Sequence, residues 1–418
     1  MTKPVLIVGA SMAGLRVAEA LRRFGYSGPI TAIGDEPHAP YNRPPLSKEV
    51  LAGDEVSHAT VAFPQRAATA DVGWVLGSAA VSADLEHQTV TTADGSVYEY
   101  STLIAATGLR PNRQTYPNNL QAGRHVIRSL DDAIALRAAL VPGARVVVLG
   151  AGFIGCETAA TARKLGAEVT IVAPGSLPIG RILGADLAGE IMRRQQAEGV
   201  EFRMKRTVTD LVGEAHVEGV LLDDGSILPC DVFIEAIGSH CNTEWLEGND
   251  IDVTDGVLTD SNLRAVRADG GTWDNVFAIG DVAKFPNPLF DGLARRVEHW
   301  NIPTESGKHV GQLVALQRQV AANETGEGGD ASAEAAGKLA ELETAGFRPV
   351  PSFWSDQFEV HLLAFGLLAL ADEHKLVQGE LSGDCVFEYF KNGKLVGAAG
   401  IGMRSVVQGY RNAFSSQE

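Results

Sequence analysis

Val8-Gly9-Ala10-Ser11-Met12-Ala13-Gly14 follows directly on the apolar run Pro4 to Val8, and Gly150-Ala151-Gly152-Phe153-Ile154-Gly155 follows directly on Val146 to Leu149. Each is an apolar strand that enters a turn of small residues and leaves it as a helical pattern. Such a turn lets the backbone approach a pyrophosphate, whose charge the free N–H groups of the helix start can hold. One glycine-rich turn is weak evidence. Two, each in strand–turn–helix context, predict two dinucleotides bound at once, and a flavin with a nicotinamide cofactor is the obvious pair. Gly9, Ser11, Ala13 and Gly14 are the candidate contacts in the first turn, and Gly150, Gly152, Phe153, Ile154 and Gly155 in the second. Ser11 stands where the middle glycine of the fingerprint is usual, and it is small enough to keep the turn.

The chain of 418 residues has room for two or three domains with sizeable cores. With 45% hydrophobic and 21% charged residues it reads as an ordinary globular protein. No apolar run has membrane-spanning length, and the first residues enter a strand by Pro4 with no charged-then-apolar leader, so a soluble cytoplasmic protein without membrane contact is expected. The formal charge of −17, from 35 basic against 52 acidic side chains, disfavours nucleic acid as a partner. It also means that an acidic protein partner would need a local basic patch. Cys156, Cys230, Cys241 and Cys385 form no close pair of the disulfide-exchange or zinc type, so reduced thiols and no metal are expected. Cys156 lies in the first turn of the second fingerprint helix, where the helix dipole could lower its pKa, but a buried packing position is the favoured reading.

Patterning outside the two turns places the remaining elements. A helix is expected over Leu15 to Phe24, and a strand over Pro29 to Gly34 ends at Asp35, about 20 residues beyond Gly14, where an acid would grip an adenosine ribose. Asp94-Gly95 and Asp224-Gly225 are hairpin signals. Residues 321–346, rich in Ala, Glu, Gly and Thr, read as a flexible insertion holding a short exposed helix. Gly-Asp and Asn-Gly turns at 383–384 and 392–393 mark an antiparallel sheet packed with helix. The expected fold is α/β: two Rossmann-like dinucleotide-binding domains of glutathione-reductase-like arrangement and a C-terminal α+β domain. The flavin domain would take 1–110 and 237–320, the nicotinamide domain 111–236, and the last domain 347–418.

Several further motifs together resemble one family. They are Gly-Asp-Glu-Pro-His at 34–38, Tyr-Asn-Arg-Pro-Pro-Leu-Ser-Lys at 41–48, Ala-Thr-Gly at 106–108, the second fingerprint ending in Glu157, Ala-Ile-Gly-Asp at 278–281, Arg-Val-Glu-His-Trp at 296–300 and Phe-Trp-Ser-Asp-Gln at 353–357. They resemble the FAD-dependent, NAD(P)H-using ferredoxin reductases of bacterial oxygenase systems, of the putidaredoxin reductase and biphenyl dioxygenase reductase type. The resemblance covers almost the whole chain and implies an electron-transfer flavoprotein. Hydride would pass from NADH, or alternatively NADPH, to FAD, and single electrons to a [2Fe–2S] ferredoxin feeding a cytochrome P450 or Rieske oxygenase. A monomer or weak homodimer is expected.

Carried over by position, the resemblance sets Gly9, Ala13 and Gly14 at the FAD pyrophosphate, Asp35 at its ribose, and Lys48 at the flavin ring. Val81 would contact the adenine side, Arg128 the phosphates, Asp281 the ribityl chain, and Trp300 would lie beside the isoalloxazine. Arg43, Ala106, Thr107, Gly108, Gly238, Gly280, Glu298 and His299 complete the expected cofactor surroundings. Lys48 and Glu157 would form a buried ion pair near the flavin, since a buried lysine without a partner tends to lose its proton. Trp354 would stand between the flavin edge and the partner, with Arg295, Arg296 and Lys308 as a docking cluster. One departure bears on the nicotinamide cofactor. Ile171-Val172-Ala173-Pro174 ends in Ala173, where an NADH enzyme usually carries an acid, and the next cation along the chain is Arg181. NADH is expected by the family's leaning. A disulfide reductase or NADH peroxidase would need cysteine within 36–50, and there is none. A rubredoxin reductase, and an NADH-sensing flavoprotein like apoptosis-inducing factor, are the alternatives.

Overall fold

The computed structural model describes residues 3–64, 66–324 and 331–415. Its first sheet has six strands in the order Arg264–Val266, Thr272–Ala278, Thr102–Ala105, Val5–Val8, Ile30–Ile33, Gly73–Val75. All pair in parallel except the two at the Arg264 edge. Val5–Val8 is buried at every position, as a central parallel strand covered on both faces must be. Behind it the helices Met12–Arg23 and Asn301–Glu324 approach closely, because Gly307 and Gly311 lie against Val17, Ala20 and Leu21. The second sheet is parallel throughout, in the order Val200–Met204, Glu168–Ala173, Arg145–Leu149, Val232–Glu235, Arg124–His125.

A buried pair ties the edge of that second sheet to its neighbour. Arg124 donates to both carboxylate oxygens of Glu235 at 2.9–3.1 Å, and neither side chain reaches solvent to any extent. The two chain passages between the sheets, Leu109–Pro111 and Ser239–Cys241, run antiparallel against each other. Three-stranded antiparallel sheets form at both Asp-Gly signals, with Gly95 and Gly225 each at φ +84°.

The C-terminal sheet is antiparallel, in the order Ser352–Gln357, Val360–Gly366, Lys394–Ile401, Cys385–Lys391, Glu373–Gly379, and the helix Arg404–Ser415 packs on it. Asn392 and Gly393 take φ of +49° and +77°, the left-handed pair that a two-residue hairpin turn needs. Residues 321–346 hold the short, largely exposed helix expected of them, and one stripe of it packs on the flavin-side core. The described part is helix to Glu324 and again over Ala331–Ala345. Ala335 is buried, Leu339 and Leu342 pack on the first core, and Arg264 pairs with Glu343. Composition concealed that stripe of apolar residues at helical spacing. Gly-Glu-Gly-Gly at 326–329 lies outside the described residues. Among the described residues no helix is long and apolar enough to cross a membrane.

Candidate active site at the meeting of three sheets

The two fingerprint turns are near copies in space. Gly9 has φ +124°, and a Cβ on it would sit 2.1 Å from the Ala106 carbonyl oxygen; Gly150 has φ +110°, with 2.2 Å to the Ala236 carbonyl oxygen. A Cβ on Gly14 or Gly155 would lie 2.1 Å from the carbonyl of Gly9 or Gly150, so each helix can press on its strand only through glycine. Ser11 and Gly152 are the N-caps. Neither helix start carries a side-chain cap bond or an acid in its first turn. The positive helix ends therefore face outward without a protein anion, which is the donor set of a diphosphate site.

Around the first turn the expected FAD residues assemble. Asp35 is exposed at the end of its strand, while its neighbour Glu36 is committed to Arg43 and Tyr41. Arg43 also donates to the Arg128 carbonyl at 2.9 Å and to Ser11 Oγ at 3.3 Å, tying three segments together. Arg128 reaches Asp281 at 3.2 Å, and its buried Nε has no partner among the described residues. A guanidinium with a spare buried donor beside a carboxylate fits phosphate on one side and hydroxyls on the other. Gly280, at φ +70°, packs on Ala13 and its N–H donates to Ser306 Oγ at 3.0 Å, fixing the turn that presents Asp281. Thr107 and Asn242 exchange bonds at 2.6 and 2.9 Å below Gly108, and the Gly238 carbonyl accepts from Asn112. Val81 is exposed on the strand Ala80–Asp84.

Lys48, Glu157 and Trp354 meet where the sheets converge. Lys48 closes the 3-10 turn Pro44–Ser47, and its Nζ lies 3.2 Å from Glu157 Oε1, with side chains only 9% and 5% exposed. The same ammonium is 4.0 Å from Asp356 and 5.3 Å from the Trp354 ring centroid. Burial raises the Glu157 pKa, and Lys48 and two serine hydroxyls oppose that rise. Trp354 meets Trp300 edge-on at 5.6 Å, and Trp300 Nε1 donates to Asn42 at 3.0 Å. Both indoles are more than a third exposed, unusual for side chains of that size. Phe153 packs on Phe353 at 4.9 Å, and Phe353 on His299 at 5.0 Å, bringing the second fingerprint to the same place. Burial pushes His299 down to about 4, so its imidazole is neutral at physiological pH. Glu298 turns away to Arg296 at 2.6 Å.

The Cys156 thiol is fully buried, as a packing position requires, and pushed up to about 12, because desolvation outweighs any pull from the helix dipole. Two sequence expectations are corrected. Arg295 and Arg296 do not form a free docking cluster: Arg295 pairs with Asp291, and Arg296 with Asp255 at 2.7 Å and with Glu298. Lys308 is exposed on its helix. Near Ala173 the relevant cations are not the next ones along the chain. The backbone N–H of Lys205 donates to the Gly175 carbonyl at 3.0 Å and that of Arg206 to the Ala173 carbonyl at 3.1 Å, so the turn that carries these two residues lies beside the end of Glu168–Ala173. Arg206 there is held by Asp224 at 2.7 Å.

Sequence reasoning assigned nothing to Ser47 and Ser355, which bond Glu157, nor to Gln357 and Gln195, which stand in series behind Ser355. The only signal was phase: along Ser352–Gln357 the polar Ser355 and Gln357 are the buried positions, and Trp354 is outward.

A family model described as pyridine nucleotide-disulphide oxidoreductase matches residues 3–307, and one described as reductase C-terminal matches 352–418. The chain belongs to the pyridine nucleotide-disulphide oxidoreductase family. It is similar to the rhodocoxin reductase of Rhodococcus erythropolis, 32% identical over 92% of this chain and 83% of that protein. It is also similar to the ferredoxin–NAD(+) reductase component of the anthranilate 1,2-dioxygenase system of Burkholderia cepacia, 33% identical over 96% and 91%. Among solved structures, the ferredoxin reductase for the CYP199A2 system from Rhodopseudomonas palustris aligns with a TM-score of 0.82 at 30% identity, covering 96% of this chain and 91% of that one. The protein is accordingly an FAD-dependent oxidoreductase that uses NAD(H).

Proposed function

We propose that this flavoprotein takes hydride from NADH and passes electrons one at a time to a [2Fe–2S] ferredoxin that serves an oxygenase. The observation that carries this reading is the buried Lys48–Glu157 pair at 3.2 Å with the half-exposed Trp354 ring over the same ammonium. Bound FAD supplies the acceptance of a hydride and the release of single electrons. The chain supplies the setting. Ser11 to Gly14 and the Arg128–Asp281 pair hold the flavin dinucleotide, and Gly152 to Gly155 hold the nicotinamide dinucleotide. Glu157 and Asp356 flank the Lys48 side chain and hold it at the redox site. Phe153, Phe353 and neutral His299 wall the site against water. Trp300 and Trp354 line the side open to a protein partner. The relatives' names place ferredoxins in that role. A cytoplasmic setting belongs to the same reading, where NADH and reduced thiols coexist.

The test is stopped-flow reduction of the bound flavin by NADH and by NADPH, followed by cytochrome c reduction with [2Fe–2S] ferredoxins added. Fast flavin reduction and ferredoxin-dependent cytochrome reduction are expected. A carrier rate that responds only to rubredoxin would replace the partner. A long-lived reduced-flavin–NAD complex with slow carrier reduction would replace the enzyme by a sensor.

A further inference from the structure

Glu157 is the point where three parts of the chain meet in one buried hydrogen-bond network. Its helix follows the second fingerprint. Ser47 reaches it from the Pro44–Ser47 turn, with Oγ donating to Oε2 at 2.7 Å, and Ser355 from the C-terminal sheet, with Oγ donating to Oε1 at 2.6 Å. Behind Ser355 the donors continue in one direction. Gln357 Nε2 donates to Ser355 Oγ at 3.0 Å, and Gln195 Nε2 donates to Gln357 Oε1 at 2.5 Å. Ser355, Gln357 and Gln195 are at most 1% exposed. Each dipole points at the carboxylate, and aligned donors in a water-free interior strengthen one another. A strand needing only packing at these two positions would carry apolar residues there. A serine and a glutamine buried in series cost desolvation unless their bonds are used.

We propose that Ser355, backed by Gln357 and Gln195, is a positioning residue for the Lys48–Glu157 pair, through which the C-terminal sheet sets the protonation state of Glu157. The other groups facing that carboxylate are Lys48, Ser47 and, beyond Lys48, Asp356, which His361 holds at 2.7 Å. The neighbouring Cys156 is a neutral thiol. Two hydroxyl donors favour the anion, so removing one lets Glu157 take a proton at higher pH. The proposal rests on the same pair as the function above but concerns the carboxylate alone.

The test is pH-difference infrared spectroscopy of the FAD-loaded protein, reading the glutamic acid carbonyl band with Glu157→Gln as the blank. Ser355→Ala should move the titration up by roughly one to two pH units, the worth of a hydrogen bond to a charged group. Ser355→Thr should return it towards wild type. Gln357→Met, which keeps Ser355, should move it upward by less. An unchanged titration in both Ser355→Ala and Gln357→Met overturns the proposal. So does failure of Ser355→Thr to restore it while the melting temperature matches wild type. The flavin midpoint potential, followed over the same pH range, separates the two readings. A titration that shifts while the potential does not bend with it supports the positioning role and removes Lys48 from the flavin.

Discussion

Asp281 and Arg128 show how far single residues could be read. Asp281 was expected at the FAD site through its Ala-Ile-Gly-Asp motif and Arg128 only through the family resemblance, and the fold brings them to 3.2 Å of each other with one Arg128 donor still unmet among the described residues. On the proposed reading Asp281 accepts from ribityl hydroxyls, so Asp281→Ala should weaken FAD retention, roughly tenfold or more for a charged hydrogen bond of about 1.5–3 kcal/mol. Equilibrium dialysis of FAD from the variant checks this, and an unchanged dissociation constant would count against the role. Ser355 and Gln357 were not legible in the same way. Their letters stood in a recognised motif, but a polar residue on a strand reads as outward unless its phase is known. Here the phase is inverted, with a tryptophan facing out and the serine facing in. Only the position of the Glu157 helix explains why.

Strands, turns and helix starts were largely legible because local chemistry decides them. Asp-Gly and Asn-Gly mark turns that need positive φ, and both fingerprints need glycine where a Cβ would strike a carbonyl. Contacts between the tips of different elements were not legible. The end of Glu168–Ala173 looked free of cations, yet the turn after Val200–Met204 carries Lys205 and Arg206 to the carbonyls of Gly175 and Ala173. Such a contact depends on the parallel pairing of two strands, which no local pattern records. NADH should therefore be preferred by a modest margin, since Ala173 cannot repel a 2′-phosphate and the exposed Lys205 stands on the turn beside it. Ala173→Glu should widen the preference, because the carboxylate accepts from a 2′-hydroxyl and repels a phosphate. Lys205→Glu should raise KM for NADPH more than for NADH. Steady-state KM values for both nucleotides decide this; equal changes for the two would remove Lys205 from the site.

The molecule as a whole has acid sensitivity built into its interior. Burial pushes both His299 and His309 down to about 4 from an ordinary value of 6.5. Between those pH values the unfolded chain binds protons that the folded one refuses, so stability falls as pH drops through the window, by up to about 1.4 kcal/mol per pH unit for each histidine. Melting temperatures should therefore decline between about pH 6.5 and pH 4.5, and His309→Gln should flatten part of the slope; a wild-type profile level across that range would contradict the assignment. At this scale the two-nucleotide architecture was readable from repeated turns. The convergence of Phe153, Lys48 and Trp354 required all three sheets in place. That convergence is the basis of the electron-transfer reading, in which hydride enters on the fingerprint side and electrons leave past Trp354. Trp354→Ala, followed in stopped-flow through both half-reactions, tests it most directly. Flavin reduction by NADH and reduction of ferricyanide should be little changed while ferredoxin reduction falls several-fold. Equal proportional losses with ferredoxin and ferricyanide, together with a lowered melting temperature, would show that Trp354 is packing and contradict the proposed path.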